Sequence, residues 1–405
     1  MPSTRVKRIL IVDDSAVMRS LLRSVVGTDT RLEVAGTASD GASALRAMDA
    51  LNPDLVLLDV EMPVMDGLHT LKQMKAKGRR EPVIMCSSLT QRGAKVTIEA
   101  LASGAADYVA KPSGQASREA AVQSLAQDLV PKILALTAAH APDANSLSQG
   151  IFQSSPEGSS ARSMLPELRS SGTVAPGISG PPVAYAPQAI TSIPSVLLIG
   201  VSTGGPAALD VLLPALPANF PLPVLVVQHM PELFTKLLAE RLDVRCSLRV
   251  AEATAGQPVR PGTVYIAKGN WHLEIGMTDL SGSASNVVLR LNQAPPENHC
   301  RPAVDVLFRS AVTVYGSHVL GVVLTGMGSD GLLGCRLIRE HSGTVLAQDQ
   351  STSAVWGMPG VVAQAGLAHR VLPLNAIAPE ILRLVGRSQR DVAEMRETAL
   401  RESAV

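Results

Sequence analysis

The segment Arg8-Ile9-Leu10-Ile11-Val12-Asp13-Asp14 is a short apolar run that ends in two carboxylates. Comparable runs follow at residues 32–35, 54–58, 82–86 and 107–110, and helical patterns separate them. Such alternation is typical of a doubly wound sheet whose strands are parallel. We therefore predict a five-stranded parallel α/β domain over residues 1–137. A final helix over 117–137 would close it by burying one face, formed by Ala121, Leu125, Leu129, Ile133 and Leu136.

A second α/β region follows a segment that has no hydrophobic periodicity. Residues 138–192 are rich in Ser, Pro, Gly and Ala, a composition that predicts a flexible linker. Strand-like runs resume at 195–200, 224–228, 264–267, 287–291 and 319–324. These runs predict a second doubly wound α/β domain with a mostly parallel sheet over 193–388, followed by a charged tail over 389–405.

Composition restricts the class of protein. The 405 residues carry a net charge of +1 and only 2% aromatic residues, whereas nucleic-acid binding usually needs a basic face or stacking rings. The four cysteines have no metal-ligand spacing and are expected to be reduced thiols. No apolar run approaches the roughly 20 residues of a membrane span, and the N-terminus does not resemble a signal peptide. We expect a soluble, cytoplasmic monomer that neither binds nucleic acid nor inserts into a membrane.

Five polar residues lie at or directly after predicted strand ends in the first domain: Asp13, Asp14, Asp59, Ser87 and Lys111. Parallel strands end at one edge of their sheet, so these side chains are expected to meet. Three grouped carboxylates repel one another unless a cation such as Mg²⁺ neutralises them. Asp59 can then accept a phosphoryl group, while Ser87 and Lys111 bind its oxygens. Any one of these Asp residues is as well explained by capping a strand-to-helix turn, but all five residues in this order favour the phosphoryl-acceptor interpretation.

The second domain opens on the glycine-rich segment Gly200-Val201-Ser202-Thr203-Gly204-Gly205-Pro206, between a predicted strand and a predicted helix over 207–216. The pattern places Ser202 at a helix N-terminus, where backbone N–H groups stabilise a developing oxyanion. A phosphate-binding turn or an empty tight turn has the same pattern, so this segment alone does not identify a nucleophile.

Two further residues strengthen the nucleophile interpretation. His229 and Asp330 also follow predicted strands, so both can meet Ser202 at one sheet edge. Ser202 would be the nucleophile, His229 the general base, and Asp330 the carboxylate that orients the imidazole. The backbone N–H groups of Thr203 and Met327 are the candidate oxyanion hole.

Cys300 is the alternative nucleophile, because His299 precedes it in the chain. Sequence neighbours seldom align as nucleophile and base, and Cys300 lies just before a predicted helix start. We therefore predict a capping or packing role for Cys300.

Residues 11–15 (IVDDS), 57–67 (LLDVEMPVMDG) and 109–112 (VAKP) make the first domain resemble the receiver domains of two-component response regulators. The resemblance implies a flavodoxin-like fold and phosphorylation of Asp59 by a partner histidine kinase. We assign Asp13, Asp14, Asp59 and Glu61 to the metal site. Within it, the resemblance implies that Asp14, Asp59 and the backbone carbonyl of Glu61 hold the Mg²⁺.

The second domain resembles the catalytic domain of the chemotaxis protein-glutamate methylesterases, the CheB family. The segments that carry the resemblance are residues 200–205, 228–230, 301–308, 324–331 and 356–359. It implies hydrolysis of glutamate methyl esters, and deamidation of specific glutamines, on the cytoplasmic helices of methyl-accepting chemotaxis receptors. It also implies that the receiver obstructs the active site until Asp59 is phosphorylated, and that the catalytic domain needs no cofactor.

Two other classes of function compete with a hydrolase. A phosphorylation-dependent binding module would keep the receiver and lack turnover, which an intact Ser202–His229–Asp330 set argues against. A transcriptional regulator would need a helix-turn-helix or a basic surface, and the second domain shows neither pattern.

Overall fold

The computed structural model describes residues 5–88, 90–112, 117–139, 190, 192–278 and 287–386. The tail predicted over 389–405, and nearly all of the linker predicted over 138–192, lie outside these residues. Among the helices that are described, none is both long and apolar enough to cross a membrane.

The N-terminal sheet has the predicted five strands, ordered β2-β1-β3-β4-β5, and every neighbouring pair is parallel. Its strands are β1 (Lys7–Val12), β2 (Leu32–Ala38), β3 (Leu55–Asp59), β4 (Val83–Ser87) and β5 (Asp107–Ala110). All five residues of β3 and of β4 are buried, as expected for strands that helices cover on both faces. The doubly wound parallel fold predicted for this domain, which is called the receiver below after the resemblance stated above, is confirmed.

Five helices cover this sheet: α1 (Ala16–Val26), α2 (Gly41–Leu51), α3 (Gly67–Ala76), α4 (Gln91–Ala102) and α5 (Arg118–Ala139). Side-chain oxygens cap the first four, since Ser15, Asp40, Asp66 and Thr90 each accept a backbone N–H from the first turn. The face predicted for α5 is buried along its whole length.

The C-terminal domain has a seven-stranded sheet in the order β14-β13-β12-β6-β7-β9-β8, with all neighbours parallel. The strands are β6 (Val196–Val201), β7 (Val224–Gln228), β8 (Arg249–Glu252), β9 (Thr263–Ile266), β12 (Val319–Val323), β13 (Thr344–Gln348) and β14 (Arg370–Leu372). The predicted run at 287–291 instead belongs to an antiparallel ribbon of β10 (His272–Met277) and β11 (Val287–Asn292). Strands β8, β10, β13 and β14 were absent from the sequence-based prediction.

The helices of this domain are α6 (Gly205–Leu212), α7 (Glu232–Arg245), α8 (Val304–Tyr315), α9 (Leu332–Glu340) and α10 (Met358–Gln364), and residues 374–386 are also helical. From β6 the chain first builds the β7 side of the sheet and later the β12 side. The β6–β12 boundary is therefore a topological switch point, where open α/β sheets form their binding sites.

The two domains pack against each other within the described residues. Helix α4 of the receiver contacts α6 and α7. The ring of Tyr108, in β5, stacks on that of Phe234, in α7, with centroids 4.5 Å apart. The receiver therefore lies against the same edge of the second domain at which β6 ends.

Candidate active site and its receiver

The receiver's acidic site forms as predicted at the carboxyl ends of β1 and β3. Asp13, Asp14 and Asp59 each bring one carboxylate oxygen within 4.8 Å of the others. The Lys111 ammonium lies 2.8 Å from Asp13 Oδ2 and 2.7 Å from Asp59 Oδ1. Burial raises the pKa of Asp59 to about 6, although the hydrogen bond and positive charge of Lys111 oppose that shift. Among the described residues, Asp59 is thus a buried carboxylate that pairs with one cation, Lys111.

This donor set suits Mg²⁺, which prefers carboxylate oxygen ligands. The Glu61 N–H lies 3.5 Å from Asp59 Oδ1, so the backbone of Glu61 adjoins the carboxylates. The Glu61 side chain instead pairs with Arg92, at 3.3 Å. A role for Glu61 through its backbone carbonyl stays a prediction.

Ser87 is buried at the end of β4, but its hydroxyl is already engaged. It accepts a hydrogen bond of 2.7 Å from Thr97 Oγ1, in α4, and donates one of 3.1 Å to the Ser88 carbonyl. In this state Ser87 is bonded toward α4, so the predicted contact with a phosphoryl group would require it to turn.

In the second domain the structure joins His229 to Asp330 at the switch point, with Nε2 2.8 Å from Oδ2. Asp330 lies in the loop between β12 and α9 and is buried. It accepts three further hydrogen bonds, from Val304 N (2.6 Å), Asp305 N (3.0 Å) and Asn298 Nδ2 (2.9 Å). Burial would raise the pKa of Asp330, but the hydrogen bonds and the charge of His229 outweigh it and hold that pKa below its usual value.

The pKa of His229 is shifted upward, in the opposite direction to that of Asp330. Burial would lower its pKa, but its contacts with Asp330 and Cys300 outweigh that effect and raise the pKa to about 9. Since Nε2 is bound to Asp330, only Nδ1 remains to take a proton from a nucleophile. That nitrogen lies 3.5 Å from Cys300 Sγ.

Of the two roles predicted for Cys300, the capping role is wrong, whereas the expectation that it does not pair with His299 agrees with the structure. Cys300 does not cap α8, whose N-cap is Ala303, and its imidazole neighbour is His229 instead of the adjacent His299. The pairing joins residues 71 positions apart. Neither hydrophobic periodicity nor motif spacing carries a signal for such a contact.

Ser202 directly follows β6, and His229 directly follows β7. These strands are neighbours in which Val201 pairs with Gln228, so Ser202 and His229 are level at the sheet edge. Gln228 ties the two together, because its Nε2 donates to the Ser202 carbonyl (3.0 Å) and to the His229 carbonyl (3.3 Å). Among the hydrogen bonds of the described residues, none joins Ser202 Oγ to His229.

The two candidate oxyanion donors flank Ser202. In the part of the chain that the structure describes, no protein acceptor is bonded to the N–H of Thr203 or of Met327. Gly204 has a φ of +77°, and a Cβ there would lie 2.6 Å from the Ala354 Cβ. Only glycine therefore allows the turn that follows Thr203.

The receiver binds this same turn. Thr203 Oγ1 donates to Asp107 Oδ2 at 2.6 Å, and Gly204 N donates to the Ala106 carbonyl at 3.1 Å. Met327 packs against an apolar cluster that includes receiver residues. The N-terminal end of β5 is thus bonded to the residues that adjoin Ser202.

Comparison with known proteins identifies both halves. The model for the response regulator receiver domain matches residues 9–123, and the model for the CheB methylesterase matches residues 197–381. The chain belongs to the CheB methylesterase family. The resemblance stated from the sequence is confirmed in both domains.

Relatives match the chain over nearly its full length. A protein-glutamate methylesterase/protein-glutamine glutaminase of Nocardioides sp. is 47% identical over 387 residues, which cover 94% of this chain and 96% of the relative. One with the same name from Trichodesmium erythraeum is 45% identical over 379 residues, covering 94% and 99%. The solved catalytic domain of Thermotoga maritima CheB methylesterase is 44% identical, covers 47% of this chain and 99% of its own, and has a TM-score of 0.46.

Proposed function

We propose that this chain is a phosphorylation-activated protein-glutamate methylesterase. It removes methyl groups from glutamate side chains of methyl-accepting chemotaxis receptors, giving methanol and glutamate, and it deamidates specific receptor glutamines. The observation that carries the proposal is the bond between His229 and the buried Asp330, beside Ser202 at the switch point of the sheet. The names of the full-length relatives support the substrate class.

The reaction follows from the roles of the three side chains. Ser202 Oγ attacks the ester carbonyl carbon while His229 Nδ1 takes its proton, and the N–H groups of Thr203 and Met327 stabilise the oxyanion. The proton then passes to the departing methoxide, which leaves as methanol, and Ser202 holds the acyl group. A water molecule, deprotonated by His229, releases the glutamate and restores Ser202. A glutamine amide loses ammonia by the same steps.

The described arrangement has the properties of a low-activity state. A histidine with a pKa of about 9 is mostly protonated at neutral pH and cannot accept the Ser202 proton. Its Nδ1 faces Cys300, and receiver residues Ala106 and Asp107 are bonded to the turn after Ser202. Of these contacts, the two made by Ala106 and Asp107 support the proposal that the receiver inhibits the catalytic domain.

Phosphorylation of Asp59 by a chemotaxis histidine kinase would relieve this inhibition. Asp14, Asp59 and the backbone carbonyl of Glu61 would hold a Mg²⁺ ion, beside Asp13. When bound, the ion neutralises the clustered negative charge. Lys111 would follow the phosphoryl oxygens, and Ser87 would exchange its bond with Thr97 for one with the phosphoryl group. We propose no cofactor for the catalytic domain.

The remaining assignments complete the proposal. The receiver spans 1–137, the linker 138–192, the catalytic domain 193–388 and the tail 389–405. The protein acts as a monomer in the cytoplasm on the cytoplasmic helices of receptors, without inserting into the membrane and without binding nucleic acid.

The test is methanol release from methylated receptor membranes, with and without acetyl phosphate and Mg²⁺. We expect methanol release by the parent protein to rise with the phosphodonor. Release by Asp59→Asn should not respond to it. Ser202→Ala should lose at least about 10⁴-fold, while Cys300→Ala, the control for a thiol nucleophile, should show no loss of activity. Full activity in Ser202→Ala would exclude Ser202 as nucleophile, and no release by any variant would favour a binding module.

A further inference from the structure

A tight turn at Glu297–Cys300 lies against the His229–Asp330 pair. Glu297 and Cys300 exchange both backbone hydrogen bonds, at 3.2 and 2.8 Å. The two residues between them have left-handed backbones, with φ of 51° at Asn298 and 63° at His299. Two left-handed residues between a reciprocal pair define a type I′ turn, for which asparagine is well suited at the first position.

This turn directs two side chains at the catalytic pair. Cys300 Sγ reaches His229 Nδ1, at 3.5 Å. Asn298 Nδ2 donates 2.9 Å hydrogen bonds to Asp330 Oδ1 and to Asp305 Oδ2. One amide group thus uses both of its N–H bonds on two different carboxylates.

The second carboxylate explains why such a bridge is needed. Asp305 and Asp330 are 1% and 2% exposed, and the charge of Asp330 raises the cost of ionising Asp305. Asp305 is also bonded to Gly334 N, at 2.6 Å, and has no hydrogen bond to His229 in the described residues. Burial and the charge of Asp330 raise the pKa of Asp305, against the hydrogen bonds from Gly334 and Asn298. A neutral group that donates to both carboxylates reduces their repulsion without adding charge.

We propose that Asn298 is a positioning residue for the catalytic pair: its amide holds Asp330 Oδ1 so that Oδ2 stays on His229 Nε2. The inference rests on the proposed function, because it assigns a role within that reaction. Asn298 does not touch the reacting atoms. It acts through Asp330, and it sets the direction in which the imidazole presents Nδ1.

The first test is Asn298→Gly, which removes the amide and fits the left-handed backbone without strain. We expect kcat for methanol release to fall about 10- to 100-fold, by analogy with the loss on removing the hydrogen-bond partners of metal-ligating side chains, with KM unchanged. The matched control is Asn52→Gly, the same change at an asparagine whose φ is 44° at the C-cap of α2 in the receiver. It should keep the parent kcat.

The second test does not depend on turnover. In protein labelled with ¹⁵N-histidine, the Nε2–H resonance of His229 is assigned by its loss in His229→Gln. We expect slow solvent exchange of this proton in the parent and in Asn52→Gly, and fast exchange in Asn298→Gly at equal free energy of unfolding.

The two readouts separate the two hypotheses. An active parent whose kcat and Nε2–H exchange are both unchanged by Asn298→Gly would overturn the positioning role. A parent inactive on every methylated receptor, with the exchange effect still present, would overturn the proposed reaction and leave the role of Asn298 in holding Asp330 intact.

Discussion

The receiver's acidic site and the candidate active site both lie at the carboxyl ends of parallel strands, but their states of assembly differ. In the receiver, Lys111 already contacts two of the three carboxylates. In the catalytic domain, His229 is bonded to Asp330, while its other nitrogen faces Cys300 and not Ser202. The charged groups of the first site are thus already in contact, whereas in the second site no hydrogen bond of the described residues joins Ser202 Oγ to His229.

Strand β5 connects these two sites. Lys111 directly follows the strand at the acidic site, and Asp107, its first residue, is bonded to Thr203. At about 3.3 Å per residue, the two positions are ~13 Å apart along one strand. If a phosphoryl group displaces Lys111, strand β5 therefore links that displacement directly to the turn beside Ser202.

The largest expected effect concerns the hydrogen bond between His229 and Asp330, which is already formed in the candidate active site. Asp330→Asn should lower kcat by about 10⁴-fold, because an amide neither stabilises the imidazolium nor fixes its tautomer. The measurement is kcat for methanol release by the phosphorylated enzyme. The control is Asp305→Asn, a buried carboxylate that shares Asn298 but does not contact His229, for which less than about a tenfold loss is expected. Equal losses in both variants would show that Asp330 has only a structural role.

A smaller effect is expected where the receiver meets the active site. Asp107→Ala removes the acceptor of the Thr203 hydroxyl, a bond of the charged class with a typical net value of about 1.5–3 kcal/mol. Methanol release without phosphodonor should rise about tenfold or more, and the phosphorylated rate should stay the same. Lys132 pairs with both Asp107, at 3.8 Å, and Asp128, at 3.0 Å. Asp128→Ala is therefore the control, since Asp128 is half exposed in α5. If methanol release without phosphodonor is unchanged in Asp107→Ala, the contact between β5 and Thr203 does not contribute to the inhibition.

The smallest effect concerns Cys300, whose contact helps to raise the pKa of His229 to about 9. His229 must be neutral to act as a base, so activity rises with pH through this pKa. Cys300→Ala should lower the pKa and move the acidic limb of the pH–rate profile to lower pH. The gain at pH 7 should be about three- to tenfold. Cys246→Ala, at the C-cap of α7, is the control. A profile that does not move would show that Asp330 alone sets the pKa.

Much of the molecule follows from local patterns. The five receiver strands and the buried face of α5 were predicted because strand and helix periodicities are local properties of the chain. The short strands β8 and β14 were missed because runs of four and three residues carry little periodicity. The run at 287–291 was recognised as a strand, but its antiparallel pairing with β10 depends on a partner that its own residues do not specify.

The sequence by itself determined two α/β domains. It also predicted the candidate site residues Asp13, Asp14, Asp59, Lys111, Ser202, His229 and Asp330, because parallel strands bring the residues at their ends to one edge. Only the tertiary structure decided that Asp330 is hydrogen-bonded to His229 Nε2, that Cys300 faces His229 Nδ1, and that Asp107 accepts a hydrogen bond from Thr203. These contacts join residues 101, 71 and 96 positions apart. They depend on side-chain directions that are set by left-handed turns and by the packing of one domain on the other. No periodic pattern in the chain specifies these directions.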